Sequence, residues 1–192
     1  MESIRCPWAK PGNKAYIEYH DREWGVPVHD DRTLFEFLVL EAFQAGLSWE
    51  IILNKREAFR EAFSQFDAEQ IARFDQQAVK TLLANKGIIR NRQKIEATIN
   101  NAVQFLAIQQ AFGSFDSYIW QFVDGKPLVN HWKSMDQVPA NTRLSDTISK
   151  DLKQRGFKFM GTTIVYSHMQ ATGMVNDHIV SCFRHQEVQA LY

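Results

Sequence analysis

Four residues that could hold a metal ion lie at opposite ends of the chain. His178 and Cys182 are four apart in "VNDHIVSC" (175–182), a spacing that predicts one helix face and two donors for one ion. Near the other end, Cys6 and His20 offer the same pair of atom types. Together Cys6, His20, His178 and Cys182 would make the Cys2His2 complement of a closed tetrahedral zinc site. On the residues alone, a pair of inert buried thiols explains the cysteines as well. His185, three residues after Cys182, competes as a ligand. Glu41 is a second chemical candidate. It stands between Leu38 and Ala45 on the apolar stripe begun by Leu34, where a carboxylate costs stability unless it is paired or faces a cavity. An edge position reaching water would also account for it. Trp49 follows, and Trp8, Tyr16, Tyr19 and Trp24 crowd the N-terminal segment. Core packing is the ordinary role of such residues. Beside a lone carboxylate they would also suit a flat cationic ring, through stacking and cation–π attraction.

Charge is segregated locally. Lys+Arg and Asp+Glu are 22 each, so the net charge of zero advertises no polyanionic partner. Yet "KGIIRNRQK" (86–94) carries Lys86, Arg90, Arg92 and Lys94 without an acid, and "KDLKQRGFK" (150–158) sets four cations against Asp151. The stretch 57–75 leans acidic. A solvated face is the simplest account of one basic cluster. The first cluster, however, sits in "TLLANKGIIRNRQKI": a short helix, a tight turn at Gly87 with Ile88 and Ile89, then a long helix from near Asn91. That is a helix–hairpin–helix outline. Its turn N–H groups and the following helix N-terminus can hold a phosphate. A plain corner between two helices fits the same residues.

The elements that must position these groups read as helices. Apolar residues recur at helical spacing over 31–45, after Asp30 and Asp31 as candidate caps and before Gly46 as a stop. Ser48 opens a helix reaching residue 63, with Ile52, Phe59 and Phe63 on one face. Ile95, Ile99, Ala102, Val103 and Leu106 form the stripe of the longest helix. A looser stretch over 124–142 is followed by helices in "SDTISKDLKQRGF" and "TTIVYSHMQATG". Strand-like alternation is nearly absent. The fold class is mostly α, as one domain over 1–192. Hydrophobic residues are 45% and charged residues 23%, an ordinary balance for a globular protein that buries its own core. No apolar run approaches the ~18 residues of a membrane span, and the polar start has no signal-peptide core. The expected compartment is the cytoplasm, where a structural disulfide is out of place.

The blocks "CPW" (6–8), "YHDREWGVP" (19–27), "LFEFLVLEAFQAGLSW" (34–49), "GIIRNRQKI" (87–95), "RGFKFMGTT" (155–163) and "VNDHIVSC" (175–182) resemble the DNA-3-methyladenine glycosylase I family. These are bacterial members of the helix–hairpin–helix glycosylase superfamily, and the blocks follow the family's order over nearly the whole chain. The resemblance implies a helix–hairpin–helix glycosylase fold in two lobes. The termini, 1–30 with about 150–192, would surround one structural zinc ion on Cys6, His20, His178 and Cys182. The other lobe, about 31–149, would carry the hairpin near 86–91. The implied reaction is hydrolysis of the N-glycosidic bond of 3-methyladenine in double-stranded alkylated DNA, releasing the free base. Glu41, Trp49 and Tyr19 would be the catalytic set: Glu41 accepting hydrogen bonds from the base, Trp49 stacking on it, Tyr19 bonding from the opposite wall. Trp8, Tyr16 and Trp24 would complete the pocket, and the Gly46–Leu47 tip would meet the gap left in the base stack. Lys86, Gly87, Arg90, Arg92 and Lys94 would contact DNA. The protein would act as a monomer, away from membranes. Ala42, Phe43 and His168 depart from the family pattern around the pocket, and the hairpin has one glycine where two are common. No aspartate is assigned to water activation. A lesion-binding homologue that does not cleave, and a zinc-stapled scaffold without a nucleic-acid role, are the alternatives; Glu41 with Trp49 argues against the first, the basic hairpin against the second.

Overall fold

The computed structural model describes residues 4–192; Met1–Ser3, where the expected single domain begins, lie outside the described residues. Asn13 opens α1 (Lys14–Arg22) by accepting from the Tyr16 N–H, and Asp30 opens α2 (Asp31–Gln44) by accepting from Thr33. Gly46, at φ +81°, carries the chain through the turn after α2, a conformation that costs a residue without a Cβ nothing. Ser48 caps α3 (Trp49–Asn54) as its sequence position suggests. The helix expected to continue to residue 63 is broken at Lys55 (φ −107°, ψ 0°), and α4 (Arg56–Ala62) follows. Asp67 and Asp75 cap α5 (Ala68–Ile71) and α6 (Gln76–Ala84). Asn91 caps α7 (Arg92–Phe112), and α8 is Phe115–Trp120. Asp31 takes no part in capping its own helix: its carboxylate accepts from the Phe115 and Asp116 N–H groups, capping α8 from across the fold.

Every residue of α2 from Leu34 to Phe43 is buried. The helix is a central strut, not the one-faced helix its periodicity suggests, because α3, α7, α8 and α10 (Thr162–Ala171) all pack on it. In α7 the buried face runs through Ile95, Thr98, Ala102, Phe105 and Ile108; Val103, expected on that face, is exposed. The helix expected from Ser145 starts earlier: Thr142 caps α9 (Arg143–Gln154), and Ser145 returns a bond to the Thr142 N–H. Two short strands, β1 (Leu128–Val129) and β2 (Val175–Asn176), pair in parallel and tie the loose 124–142 stretch to the C-terminal segment. The helical placement of His178 and Cys182 is corrected. Both lie in the irregular turn between β2 and α11 (Phe183–Gln189), and Cys182 stands at the N-cap.

Candidate functional site

The turn brings all four metal-ligand candidates together even though it is not a helix. Cys6, His20, His178 and Cys182 are buried, and their donor atoms lie within 4.8 Å of one another. Cys182 Sγ is 3.5 Å from His20 Nε2 and 3.6 Å from His178 Nδ1, and Cys6 Sγ is 3.6 Å from His178 Nδ1. Ordinary Zn–S and Zn–N bonds at tetrahedral angles set sulfur and nitrogen donors about 3.6 Å apart. The remaining ring nitrogens are occupied. His20 Nδ1 is 2.7 Å from Asp21 Oδ1, and the Asp21 carboxylate is itself held by Arg5. His178 Nε2 is 2.9 Å from the Trp24 carbonyl oxygen. An imidazole that donates one N–H outward keeps a lone pair on its other nitrogen; in His20 that lone pair, which a metal would take, accepts from the Cys6 N–H at 3.2 Å. The Cys182 thiol is held well below its usual pKa, foremost by the hydrogen bond from Cys6, with His178 and His20 adding to it, while the same bond and burial hold the Cys6 thiol well above its own; one of the two sulfurs is poised as the thiolate that binds metal. Gly25 permits the close approach: a Cβ there would lie 3.1 Å from the His178 ring. His185, the competing ligand, is excluded, since its nitrogens face the Asn130 carbonyl and the Gln189 amide. The cluster can hold a metal ion that would join the two ends of the chain.

Beside it lies a cavity of about 290 Å³, onto which Trp8, Tyr16, Tyr19, Trp24, Glu41 and Trp49 all face. Glu41 is 3% exposed, so the edge reading of this residue fails. Its Oε2 has no hydrogen-bond partner among the described residues, and burial pushes its pKa up to about 8. No cation pairs with it among the described residues, and desolvation alone accounts for the shift. Trp49 Nε1 is also without a partner among the described residues. The Trp49 and Tyr19 rings lie 5.3 Å apart, and Trp8 meets Trp24 edge-on at 5.0 Å. Burial, then the nearby Glu41, pushes the Tyr19 phenol well above its usual value, which keeps it a proton donor. Buried polar groups normally find partners, so an unpartnered carboxylate walled by aromatic rings marks a place for a ligand.

A methyladenine glycosylase family model matches residues 8–185. The chain belongs to that family. DNA-3-methyladenine glycosylase 1 of Escherichia coli K12 is 48% identical over 178 residues, covering 93% of this chain and 95% of that protein. A crystal structure of 3-methyladenine DNA glycosylase I superposes with a TM-score of 0.91 at 52% identity, covering 94% of this chain and 98% of the other. The Staphylococcus aureus enzyme, solved to explain its recognition of 3-methyladenine, gives a TM-score of 0.90 at 38% identity, with coverage of 93% and 95%.

Other expected site residues of this methyladenine glycosylase chain are distributed differently. Gly46 and Leu47 border a smaller hollow of about 180 Å³, which shares Glu41, Gln44 and Ser167 with the main cavity. Lys86 and Arg90 are exposed on the turn between α6 and α7, and Arg92 is exposed at the start of α7, where it pairs with Glu96 at 3.2 Å. Gly87 is there for space: a Cβ would lie 2.9 Å from the Ala58 Cβ. Its N–H is spent on Asn85 Oδ1, leaving the N–H groups of Ile88, Ile89 and Arg90 without partners among the described residues. Lys94 is a correction. Its side chain turns inward, and its ammonium donates to the Phe43 and Ala45 carbonyls at 2.8 and 2.7 Å, capping α2 instead of facing DNA. Ala42 and Phe43 do not line the cavity; the Phe43 ring packs on Phe59. His168 is buried with neither ring nitrogen bonded to a described residue, and burial pushes its pKa down to about 3. Sequence reasoning missed Gln44, Met135, Val138, Pro139, Ser167 and Gln170. Thr163, Ser167 and Gln170 recur at helical spacing in α10, a polar stripe that signals a wetted face.

Proposed function

We propose that the chain is a monofunctional glycosylase that excises 3-methyladenine from double-stranded alkylated DNA, leaving an abasic site. The observation that carries the reading is Glu41, a buried carboxylate without a partner at the wall of an aromatic cavity. Methylation at N3 makes the base cationic and a good leaving group, so extrusion and recognition are the main tasks. The lesion stacks on Trp49 and gives hydrogen bonds to Glu41, whose negative form a cationic ring favours. Tyr19 donates from the opposite wall, while Trp8, Tyr16 and Trp24 exclude water. Leu47, beside Gly46, fills the gap left in the duplex.

The α6–turn–α7 unit acts as the helix–hairpin–helix element. Lys86, Arg90 and Arg92 supply sequence-independent affinity, and the free turn N–H groups receive a phosphate. The metal on Cys6, His20, His178 and Cys182 is zinc, since two thiolates and two imidazoles are a common zinc set. Four protein donors leave no position for a catalytic water, so the ion's contribution is to hold the termini together. The chain is one catalytic domain whose terminal and central lobes face each other across the cavity, acting as a monomer in the cytoplasm. The test is base release from methylated duplex DNA, with the freed bases separated by chromatography. Release of 3-methyladenine is expected; tight binding to methylated duplex without release would support the lesion-binding alternative.

A further inference from the structure

Asp177 sits one residue before the metal ligand His178 and is fully buried. Four donors surround its carboxylate. Asn130 Nδ2 and Trp132 Nε1 reach Oδ1 at 2.7 and 2.8 Å; the Tyr166 hydroxyl and Gln170 Nε2 reach Oδ2 at 2.6 and 2.8 Å. No cation is among these partners. A carboxylate has room for about four such bonds, and it only accepts. Gln170 therefore cannot turn its amide over: the NH2 must face Asp177. The other end of the amide, Oε1, takes no hydrogen bond from any described residue, and Gln170 is one of the residues lining the cavity that holds Glu41.

We infer that Gln170 reads the base as a fixed hydrogen-bond acceptor, with Asp177 as the residue that fixes it, selecting a six-amino purine over a six-oxo purine. This rests on the glycosylase reading above and adds the specificity determinant. The exocyclic amine of an adenine-type base carries two hydrogens. Gln170 Oε1 accepts from one of them, and Glu41 accepts from the other in the ionised form that a cationic base favours. A purine with a carbonyl at the same position puts an acceptor against an acceptor, and each loses its bond to water without replacement. Sites that pair a buried polar group with its ligand discriminate strongly for this reason. A free amide would lose most of that power, because it could turn its NH2 toward the carbonyl. The buried, saturated Asp177 denies it the turn.

The test measures the affinity of the zinc-loaded protein for free 3-methyladenine and for free 3-methylhypoxanthine, which carries a carbonyl in place of the amine. Wild type is expected to prefer the amine. Gln170→Met keeps the length of the side chain and removes the acceptor. It should weaken 3-methyladenine binding about tenfold, the effect of one lost hydrogen bond, while leaving 3-methylhypoxanthine binding unchanged or stronger. Asp177→Asn frees the Gln170 amide to turn, so its preference ratio should shrink even though Gln170 remains. Should Asp177→Asn fail to fold, Gln170→Leu replaces it: the side chain keeps a similar size but has neither the acceptor nor the amide, and the ratio should again fall. A ratio unchanged in a folded Gln170→Met protein overturns the inference while leaving the glycosylase reading intact. Failure of the wild type to bind 3-methyladenine at all defeats the glycosylase reading itself.

Discussion

Replacing Glu41 with Gln should move stability and function in opposite directions. The carboxyl is buried, and its pKa rises from 4.5 to about 8 on folding. The sign follows from proton uptake. Between these two values the folded state holds a proton that the unfolded state has lost, so stability falls as pH rises through the window. At about 1.4 kcal/mol per pH unit, Glu41 costs about 3 kcal/mol at pH 7. Gln removes that cost, and its amide inherits the same lack of partners as the protonated carboxyl. The Glu41→Gln protein should therefore be about 3 kcal/mol more stable at pH 7, a rise of roughly 6–12 °C for a chain of this size. The advantage should grow by about 2 kcal/mol from pH 6 to pH 8. Denaturant titrations of both proteins at the two pH values read this difference, and the metal site, common to both, cancels. Affinity for 3-methyladenine should fall meanwhile by about 1.5–3 kcal/mol, as for a lost charged hydrogen bond. A variant that melts earlier than wild type yet binds the base normally would show that Glu41 supports the fold and that the ligand is recognised elsewhere.

Cys182→Ala should lose stoichiometric zinc, measured by elemental analysis, and unfold at lower denaturant, because metal binding and folding are coupled. Arg90→Ala with Arg92→Ala should weaken damaged and undamaged duplex alike and reduce the slope of log affinity against log salt by about 0.9 for each phosphate that is no longer neutralised; equal affinities at low salt would remove these residues from the interface. Lys94→Met should leave binding to undamaged duplex unchanged but cost roughly 1–3 kcal/mol of stability, since the Phe43 and Ala45 carbonyls lose their donor.

Much of this protein was legible locally. A helix cap needs a side chain and an N–H three residues on, so Asp30, Ser48 and Asn91 could be read from the sequence without knowing the fold. The glutamate on an apolar stripe marked Glu41, and the pairs of cysteine and histidine at each end marked the cluster. Other features depended on distant chain. Lys94 belongs by sequence to a basic run; by packing, it meets the end of α2, whose open carbonyls accept from its ammonium while burial lowers its pKa. The His178–Cys182 spacing imitates a helix, yet the pairing of β1 with β2 draws that segment into an extended turn, and only the fold brings Cys6 and His20 to meet it. Asp177 had no mark at all. Its four partners come from the 130–132 loop and from α10, so the orientation of Gln170 exists only after those segments pack. Spacing along the chain reports neighbours within a helical turn; a buried carboxylate shared by two segments is decided by tertiary structure, because desolvation and the choice of partner arise only when the segments close around it.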